Sequence, residues 1–224
     1  MKIILDTAHL EDIRKYNRIY EIAGVTSNPT ILSRECADFF PLLQNIRQEI
    51  GDKELHVQVT ASSCTEMLLE AKSIVNILGK DTYIKVPTNE EGIKTIKQLK
   101  HLGYKVTATA IYTAQQAMLA ASVGADYVAP YYNRMNNLNM DSRQTITEIA
   151  TLFKLHHCET EILAASFKNT NQIMDALLCG AHAVTASPQL YTQMVESPVI
   201  DHAIKEFYKD WASVYQDKPI YELK

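Results

Sequence analysis

The sequence predicts an α/β protein of the (β/α)8, or TIM, barrel class, with an additional long helix near its C-terminal end. Eight short apolar runs alternate with longer segments of helical periodicity, as parallel strands covered by helices require. The length of 224 residues fits one such barrel, and 46% hydrophobic residues are ordinary for a globular protein. We therefore interpret residues 1–224 as a single domain.

The eight predicted strands are each three to six residues long. In chain order they are IIL (3–5), AGVT (23–26), HVQV (56–59), YIKV (83–86), KVTAT (105–109), YVAPY (127–131), EILAAS (161–166) and HAVTA (182–186). A doubly wound open sheet is the rival architecture, but it usually has five or six strands. No glycine-rich dinucleotide turn follows the first run, so the barrel is favoured.

Polar residues mark where the intervening helices begin and end. Thr88 and Glu91 have the spacing of a capping box, and Gly103 stands where that helix should end. Thr113 and Ser142 are predicted to cap two later helices.

A last helix, predicted over 198–215, follows the helix that should close the barrel, and proline occupies its first position. It carries a wide apolar stripe formed by Ile200, Ala203, Ile204, Phe207, Trp211 and Val214. The stripe fits a helix folded back across its own barrel, and it equally fits a helix packed on a neighbouring subunit.

Composition excludes several classes of function. The net charge is −4 and no basic cluster stands out, so nucleic acid is not an expected partner. No apolar run approaches the roughly 18–20 residues that span a bilayer, and Asp6 interrupts the only N-terminal run that could resemble a signal peptide. The four cysteines lie far apart and form no CxxC pair, which predicts a reduced, cytoplasmic protein. The adjacent His156 and His157 would diverge by about 100° on a helix, so no metal site is expected.

Polar residues gather at the carboxyl ends of the predicted strands, where barrels of this class hold their active sites. Each has an ordinary structural explanation when taken alone: Asp6 could cap a helix, Asn28-Pro29 could be a turn, and Arg134 and Lys168 could be solvated charges. The full set is Asp6, Thr26, Asn28, Gln58, Thr109, Tyr131, Arg134, Ser166 and Lys168.

Lys85 is harder to explain structurally, because it lies in the middle of a central strand. Burial of an unpaired ammonium group is costly and lowers its pKa, and the neutral amine that results is a nucleophile for carbonyl carbons. This chemistry points to a Schiff base with a ketose, whose protonated imine allows the C3–C4 bond to break.

The remaining residues suit supporting roles in that reaction. Asp6 alone has an acidity suited to moving protons, whereas Gln58, Thr109 and Tyr131 could hold a water molecule. Arg134, Ser166 and Lys168 could together bind a phosphate at the far end of the substrate.

Five segments resemble the transaldolase family: LDT (5–7), GVTSNPTI (24–31), IKVPTNEEG (84–92), VAPYYNR (128–134) and LAASFKN (163–169). The resemblance runs from Met1 to about Tyr215, and the TSNPT and KVP motifs in this order are highly specific. The short chain is similar to the small-subunit branch of the family, which includes fructose-6-phosphate aldolase.

The resemblance implies a (β/α)8 barrel that uses neither a metal ion nor an organic cofactor. It implies that Lys85 forms the Schiff base, that Asp6 is the acid and base, and that the substrate hydroxyls meet Asn28 in a pocket that Thr26 lines. By the same resemblance Gln58, Thr109 and Tyr131 hold the catalytic water, and Arg134 and Ser166 bind phosphate with help from Lys168. It further implies a homodecamer of two pentamers in which the C-terminal helix reaches a neighbour.

The family divides by chemistry, and three positions bear on the division. Transaldolases usually have glutamate at position 58, phenylalanine at 131 and asparagine at 107, whereas this chain has Gln58, Tyr131 and Thr107. The resemblance therefore implies an aldolase that converts fructose 6-phosphate to dihydroxyacetone and glyceraldehyde 3-phosphate. The alternatives are a transaldolase that transfers the dihydroxyacetone unit between sugar phosphates and, more distantly, a phosphosugar-binding barrel without catalysis. A metal-dependent aldolase is not expected, since no cluster of ligands has metal-binding spacing.

Overall fold

Eight parallel strands close into a barrel in the computed structural model, which describes residues 1–223. The strands are β1 (Lys2–Asp6), β2 (Gly24–Thr26), β3 (Glu54–Gln58), β4 (Thr82–Pro87), β5 (Lys105–Ile111), β6 (Tyr127–Pro130), β7 (Glu161–Ala164) and β8 (Ala183–Ala186). Each strand pairs with the next in the chain, and β8 pairs with β1. The predicted barrel is confirmed and the open sheet is wrong.

Helices cover the outside of the barrel. They are α1 (Leu10–Ile19), α2 (Pro29–Arg34), α3 (Phe39–Ile50), α4 (Cys64–Leu78), α5 (Glu90–His101), α6 (Ala114–Ser122), α7 (Tyr132–Asn137), α8 (Ser142–Leu155), α9 (Thr170–Leu178), α10 (Pro188–Val195) and α11 (Pro198–Tyr215), with a final 3-10 turn at Ile220–Glu222. The short α2 and α7 follow β2 and β6 directly, so both lie at the carboxyl end of the barrel.

The predicted cap of α5 is wrong. Asn89 is the capping residue, and its side chain accepts a hydrogen bond of 2.8 Å from the Gly92 backbone N–H. Thr88 instead donates to the Thr109 carbonyl oxygen at 2.9 Å, which ties the end of β4 to β5. Glu91, the other half of the predicted box, accepts from the Cys64 backbone N–H at 2.7 Å.

The other two predicted caps have different outcomes. Thr113 caps α6, as predicted, and the structure adds a reciprocal capping box between Thr113 and Gln116. Ser142 is the first residue of α8, and the capping side chain is that of Asp141, which accepts from the Gln144 backbone N–H at 3.0 Å. The prediction at Ser142 is therefore wrong by one residue.

The main core lies between the strands and the helices. Outward strand residues such as Val57, Ile84 and Val106 pack there against helix residues such as Ile96 and Leu99. A smaller apolar cluster of Ile4, Tyr127, Leu163 and Ala183 fills the middle of the barrel interior. Because successive strand residues point to opposite faces, polar side chains can occupy inward positions above and below this cluster without interrupting the main core.

The helix α11 buries none of its residues against the barrel. Val199, Ile204, Phe207 and Val214 are each more than half exposed. The first interpretation of the apolar stripe, a helix folded across its own barrel, is therefore wrong, and packing on a neighbouring subunit stays a prediction. Within residues 1–223, no helix combines the length and the apolar character needed to cross a bilayer.

Candidate active site

A cavity of about 370 Å³ opens at the carboxyl ends of the strands, the expected place in a barrel of this class. Nine of the ten predicted site residues contribute to its wall: Asp6, Thr26, Asn28, Lys85, Thr109, Tyr131, Arg134, Ser166 and Lys168. These residues come from strands, loops and the short helix α7, so closure of the sheet is what brings them together.

Lys85 points from the middle of β4 into the barrel interior, and only 6% of its surface is exposed. Its Nζ atom donates a hydrogen bond of 2.7 Å to the Ser27 carbonyl oxygen. Burial lowers the pKa of the Lys85 amine; the nearby Asp6 opposes this effect, and Arg134 adds to it. The amine is thus held in place and has a larger neutral fraction than an exposed lysine at the same pH.

Asp6 ends β1 and accepts a hydrogen bond of 2.7 Å from the Thr26 hydroxyl. Loss of water raises the pKa of the Asp6 carboxyl above its ordinary value, although Lys85, Thr26 and Arg134 each act in the opposite direction. Both shifts act against the ion pair of Lys85 and Asp6, so they raise the neutral fraction of the amine and of the carboxyl group. The lone pair of the amine is available in that neutral fraction. Asp6 caps no helix, because the residue before α1 is His9.

A second pair of polar groups faces the cavity from β5 and the end of β6. The Tyr131 hydroxyl lies 2.8 Å from the Thr109 hydroxyl oxygen. Burial raises the pKa of Tyr131, so its phenol remains a proton donor. Ala110 has a left-handed backbone with φ of 59°, and the β5–β6 register shifts between Ala108 and Ile111. Such a bulge re-aims side chains next to a site, and here it lies beside Thr109.

Gln58 is the one predicted residue that does not line the cavity. It is the register partner of Lys85 on β3. Its Oε1 atom is buried and makes no hydrogen bond with the residues that the structure describes. A buried acceptor of this kind is uncommon in folded proteins, which makes Gln58 a polar group beside the lysine with unused hydrogen-bonding capacity.

Basic and hydroxyl groups gather on one side of the mouth of the cavity. The Arg134 guanidinium carbon lies 4.6 Å from the centre of the Tyr131 ring, which holds the cation over an aromatic face. Ser166 follows β7 with a left-handed φ of 65°, and its carbonyl oxygen accepts from the Asn133 backbone N–H at 2.8 Å. Backbone strain of this kind tends to occur at functional sites. Lys168 is exposed at the same edge.

The cavity wall also contains residues that are absent from the sequence prediction, and two of them are polar groups of particular interest, Thr185 and Arg34. Thr185 on β8 lies 2.6 Å from the Thr26 hydroxyl, and its inward position follows from strand alternation once the barrel is known. Arg34 reaches the cavity from the end of α2, and no sequence signal distinguishes it from a surface arginine. Three basic residues at the mouth against the single carboxylate Asp6 make the cavity suited to an anionic ligand.

The fold and the cavity define a (β/α)8-barrel protein with a buried lysine and a carboxyl group at the carboxyl end of its strands. A family model described as "Transaldolase/Fructose-6-phosphate aldolase" matches residues 3–218. The chain belongs to this family of aldolase and transaldolase enzymes.

Similar proteins from bacteria carry both names of the family. A probable fructose-6-phosphate aldolase of Streptococcus pneumoniae is 44% identical over 222 residues, which cover 98% of this chain and all of the relative. Probable transaldolases of Exiguobacterium and of Clostridium kluyveri are 36% and 37% identical, over 94% and 96% of this chain and 97% and 99% of their own lengths. Family membership therefore leaves the choice between the two reactions to the site residues.

Proposed function

We propose that the protein is a class I aldolase that converts fructose 6-phosphate to dihydroxyacetone and glyceraldehyde 3-phosphate through a Schiff base on Lys85. The observation that carries the proposal is the buried Lys85 amine, which shares one cavity with Asp6. A neutral amine beside a protonated carboxyl group is the pair that imine formation requires.

The reaction begins when the Lys85 nitrogen attacks C2 of the ketose. One amine proton moves to the C2 oxygen and Asp6 donates a second, so that oxygen leaves as water. The nitrogen keeps its other proton and becomes a protonated imine. The Asp6 carboxylate then accepts the proton of the C4 hydroxyl, the C3–C4 bond breaks, and its electron pair moves into the imine to form an enamine. Protonation of the enamine carbon and hydrolysis of the imine release dihydroxyacetone and regenerate Lys85.

Protonation of the enamine is the step that distinguishes an aldolase from a transaldolase. The Tyr131 hydroxyl and Thr109 form a hydrogen-bonded pair facing the cavity. In our proposal they hold a water molecule together with the unused Gln58 acceptor, and Tyr131 helps that water protonate the enamine. Phenylalanine in place of Tyr131 would lack the donor, and the three-carbon unit would remain on the enzyme until an acceptor aldehyde arrived.

The phosphate of the substrate binds, in this proposal, at the basic side of the mouth. Arg134 offers a planar fork of donors and Ser166 a hydroxyl, while Lys168 adds a mobile charge. In this proposal Asn28 contacts the substrate hydroxyls in the pocket that Thr26 lines. Asn28 also caps α2 by accepting from the Ile31 backbone N–H at 3.0 Å, which fixes the orientation of its side chain.

An acceptor-free cleavage assay tests the proposal. Purified protein is mixed with fructose 6-phosphate alone, and the glyceraldehyde 3-phosphate released is measured by a coupled dehydrogenase. Sustained release supports the aldolase. Release only after erythrose 4-phosphate is added would show instead that the protein is a transaldolase, the activity in the names of two of the relatives. Thermal stabilisation by sugar phosphates without any turnover would identify a non-catalytic binding protein.

We also propose that α11 mediates assembly into a decamer of two pentamers. Its exposed apolar side chains, Val199, Ile204, Phe207 and Val214, form a face that this chain leaves uncovered. A monomer rarely exposes such a face, and a second copy of the chain is the partner that the family resemblance indicates. All four cysteines are free thiols, which fits the reduced cytoplasm in which we expect the reaction to occur.

A further inference from the structure

A line of inward-facing polar side chains, of which His56 and Thr107 are buried and Glu54 is partly buried, lies inside the barrel below the Lys85 cavity. Glu54 and His56 point inward from β3, and Thr107 points inward from β5. His56 Nε2 lies 3.2 Å from Glu54 Oε2, and His56 Nδ1 lies 2.9 Å from the Thr107 hydroxyl oxygen. The imidazole is fully buried and stacks on the Tyr83 ring at 4.5 Å between ring centres. The three groups form a carboxylate–imidazole–hydroxyl relay.

The surroundings of Glu54 determine which imidazole nitrogen carries the proton. Glu54 Oε1 accepts hydrogen bonds from Lys2 Nζ at 3.2 Å and from the Tyr127 hydroxyl at 3.0 Å, which favours the ionised carboxylate. An ionised carboxylate can only accept, so His56 Nε2 must donate to Glu54 Oε2.

The direction of the second hydrogen bond follows from the first. Burial lowers the pKa of His56, and its neutral ring has one N–H only. With that proton on Nε2, Nδ1 carries a lone pair and accepts from the Thr107 hydroxyl. The single hydroxyl proton of Thr107 is therefore committed to His56.

Thr107 is also the register partner of Lys85 on the neighbouring strand, and both contribute to the cavity wall. A hydroxyl proton donated to the Lys85 nitrogen would occupy the lone pair that must attack the ketone. We propose that Glu54 and His56 are positioning residues that hold the Thr107 proton away from Lys85 and so keep the amine nucleophilic. This inference rests on the proposed Schiff-base function.

The tautomer of His56 tests the structural part of the inference without any catalysis. In protein labelled with 15N-histidine, the ring signals that disappear in His56→Gln identify His56. We expect a protonated Nε2 and a bare Nδ1. A proton on Nδ1 would overturn the inference, because Thr107 could not then donate to His56.

Rescue kinetics test the catalytic part. Glutamine at position 56 places an amide near Glu54 but leaves no acceptor at the Nδ1 position, so the Thr107 proton becomes free. We expect the initial rate of borohydride trapping with dihydroxyacetone to fall about three- to tenfold in His56→Gln, the equivalent of one hydrogen bond. Thr107→Val removes the proton altogether, so the double variant should recover most of the wild-type rate.

Glu54→Gln provides a second route to the same result if His56→Gln folds poorly. The neutral amide of the glutamine can donate as well as accept, so the proton of the His56 ring is no longer fixed on Nε2. We expect the same slower trapping, with the same rescue by Thr107→Val. A merely structural role predicts the opposite, because each double variant would then be less stable and less active than its parent.

The outcomes separate this inference from the proposed function. A wild-type protein that is never trapped overturns the Schiff-base function, and the inference for Lys85 fails with it even if His56 has the expected tautomer. A wild-type protein that is trapped, with His56→Gln and Glu54→Gln trapped at the wild-type rate, overturns the inference alone. Slower trapping without rescue also overturns it.

Discussion

Tyr131→Phe should convert release of dihydroxyacetone into retention. The substitution removes one hydroxyl, which lies 2.8 Å from the Thr109 hydroxyl oxygen. It preserves the ring, and with it the edge contact to Tyr112 at 5.8 Å and the Arg134 contact at 4.6 Å. The substitution therefore removes one hydrogen bond from the folded state. The free energy of unfolding should fall by about 1 kcal/mol, which lowers the unfolding temperature by about 2–4 °C in a chain of this size.

The effect of Tyr131→Phe on the rate of cleavage should be larger than its effect on stability. A positioned proton donor contributes about 10²-fold or more to a proton transfer, so acceptor-free cleavage should fall by about that factor. Formation of the imine does not use Tyr131 in our scheme, so trapping at Lys85 should persist. Transfer to erythrose 4-phosphate should be preserved as well, and the ratio of transfer to release should rise.

The neighbouring Tyr132 provides a matched control. Its hydroxyl donates to Asp175 at 3.3 Å, and Tyr132 does not line the cavity. Tyr132→Phe should therefore cost similar stability but leave release unchanged. Both variants are assayed with and without the acceptor at equal protein concentration. An unchanged transfer-to-release ratio in Tyr131→Phe, or an equal rise in Tyr132→Phe, would refute the role of Tyr131.

Three further predictions concern separate parts of the molecule. Because the folded-state pKa of Asp6 is raised, its contribution to stability is present below its ordinary value of 3.8 and is lost as pH rises through the raised value. Denaturant titrations should therefore show a fall in wild-type stability over that window that Asp6→Asn lacks; identical profiles would contradict the raised pKa. Arg134→Gln should raise the KM for glyceraldehyde 3-phosphate about 10- to 100-fold in the synthetic direction, with little change for unphosphorylated glyceraldehyde, since a charge-assisted hydrogen bond contributes about 1.5–3 kcal/mol. Equal effects on both aldehydes would dismiss phosphate binding. Phe207→Glu should dissociate the assembly in analytical ultracentrifugation, whereas Lys209→Glu on the opposite face of α11 should not; an intact assembly in Phe207→Glu would argue against the apolar face.

The periodicity of the sequence predicts the barrel well because strand and helix patterns follow from local packing. All eight strands lie where the apolar runs predict them, with ends that differ by one or two residues at most. Tyr131 shows a limit of this method: it is predicted as the last residue of a strand, but it lies between β6 and α7, caps α7 and forms only an isolated bridge to Ala165. The short α2 and α7 carry too few residues to show a helical period.

The candidate site is predictable where a side chain violates a pattern. Lys85 in an apolar strand is such a violation, and the cavity forms around it. Arg34 fits the pattern of a surface helix, which ordinarily carries arginine, so the sequence does not mark it as a site residue. Only the closed barrel brings it to the cavity. Gln58 shows the reverse case: strand position predicts a site residue, yet its side chain lies beside the cavity wall without contributing to it.

Tertiary context also explains what the sequence leaves open in α11 and β3. The proline after Ser197 predicts the start of α11 correctly, but the apolar face of this helix stays exposed in residues 1–223, so the chain alone does not explain it. Glu54 and His56 alternate with outward residues on β3, so the sequence predicts that they point inward. Their hydrogen-bonded chain with Thr107 is seen only in the folded barrel, because Thr107 comes from β5.

The most direct test of the Schiff-base chemistry is to reduce the protein with borohydride in the presence of dihydroxyacetone and to map the added mass by peptide mass spectrometry. The account predicts one adduct per chain, on Lys85, and none in Lys85→Met, whose side chain has similar length but no amine. An adduct on another lysine, or a wild-type protein that gains no mass while it still cleaves fructose 6-phosphate, would contradict it.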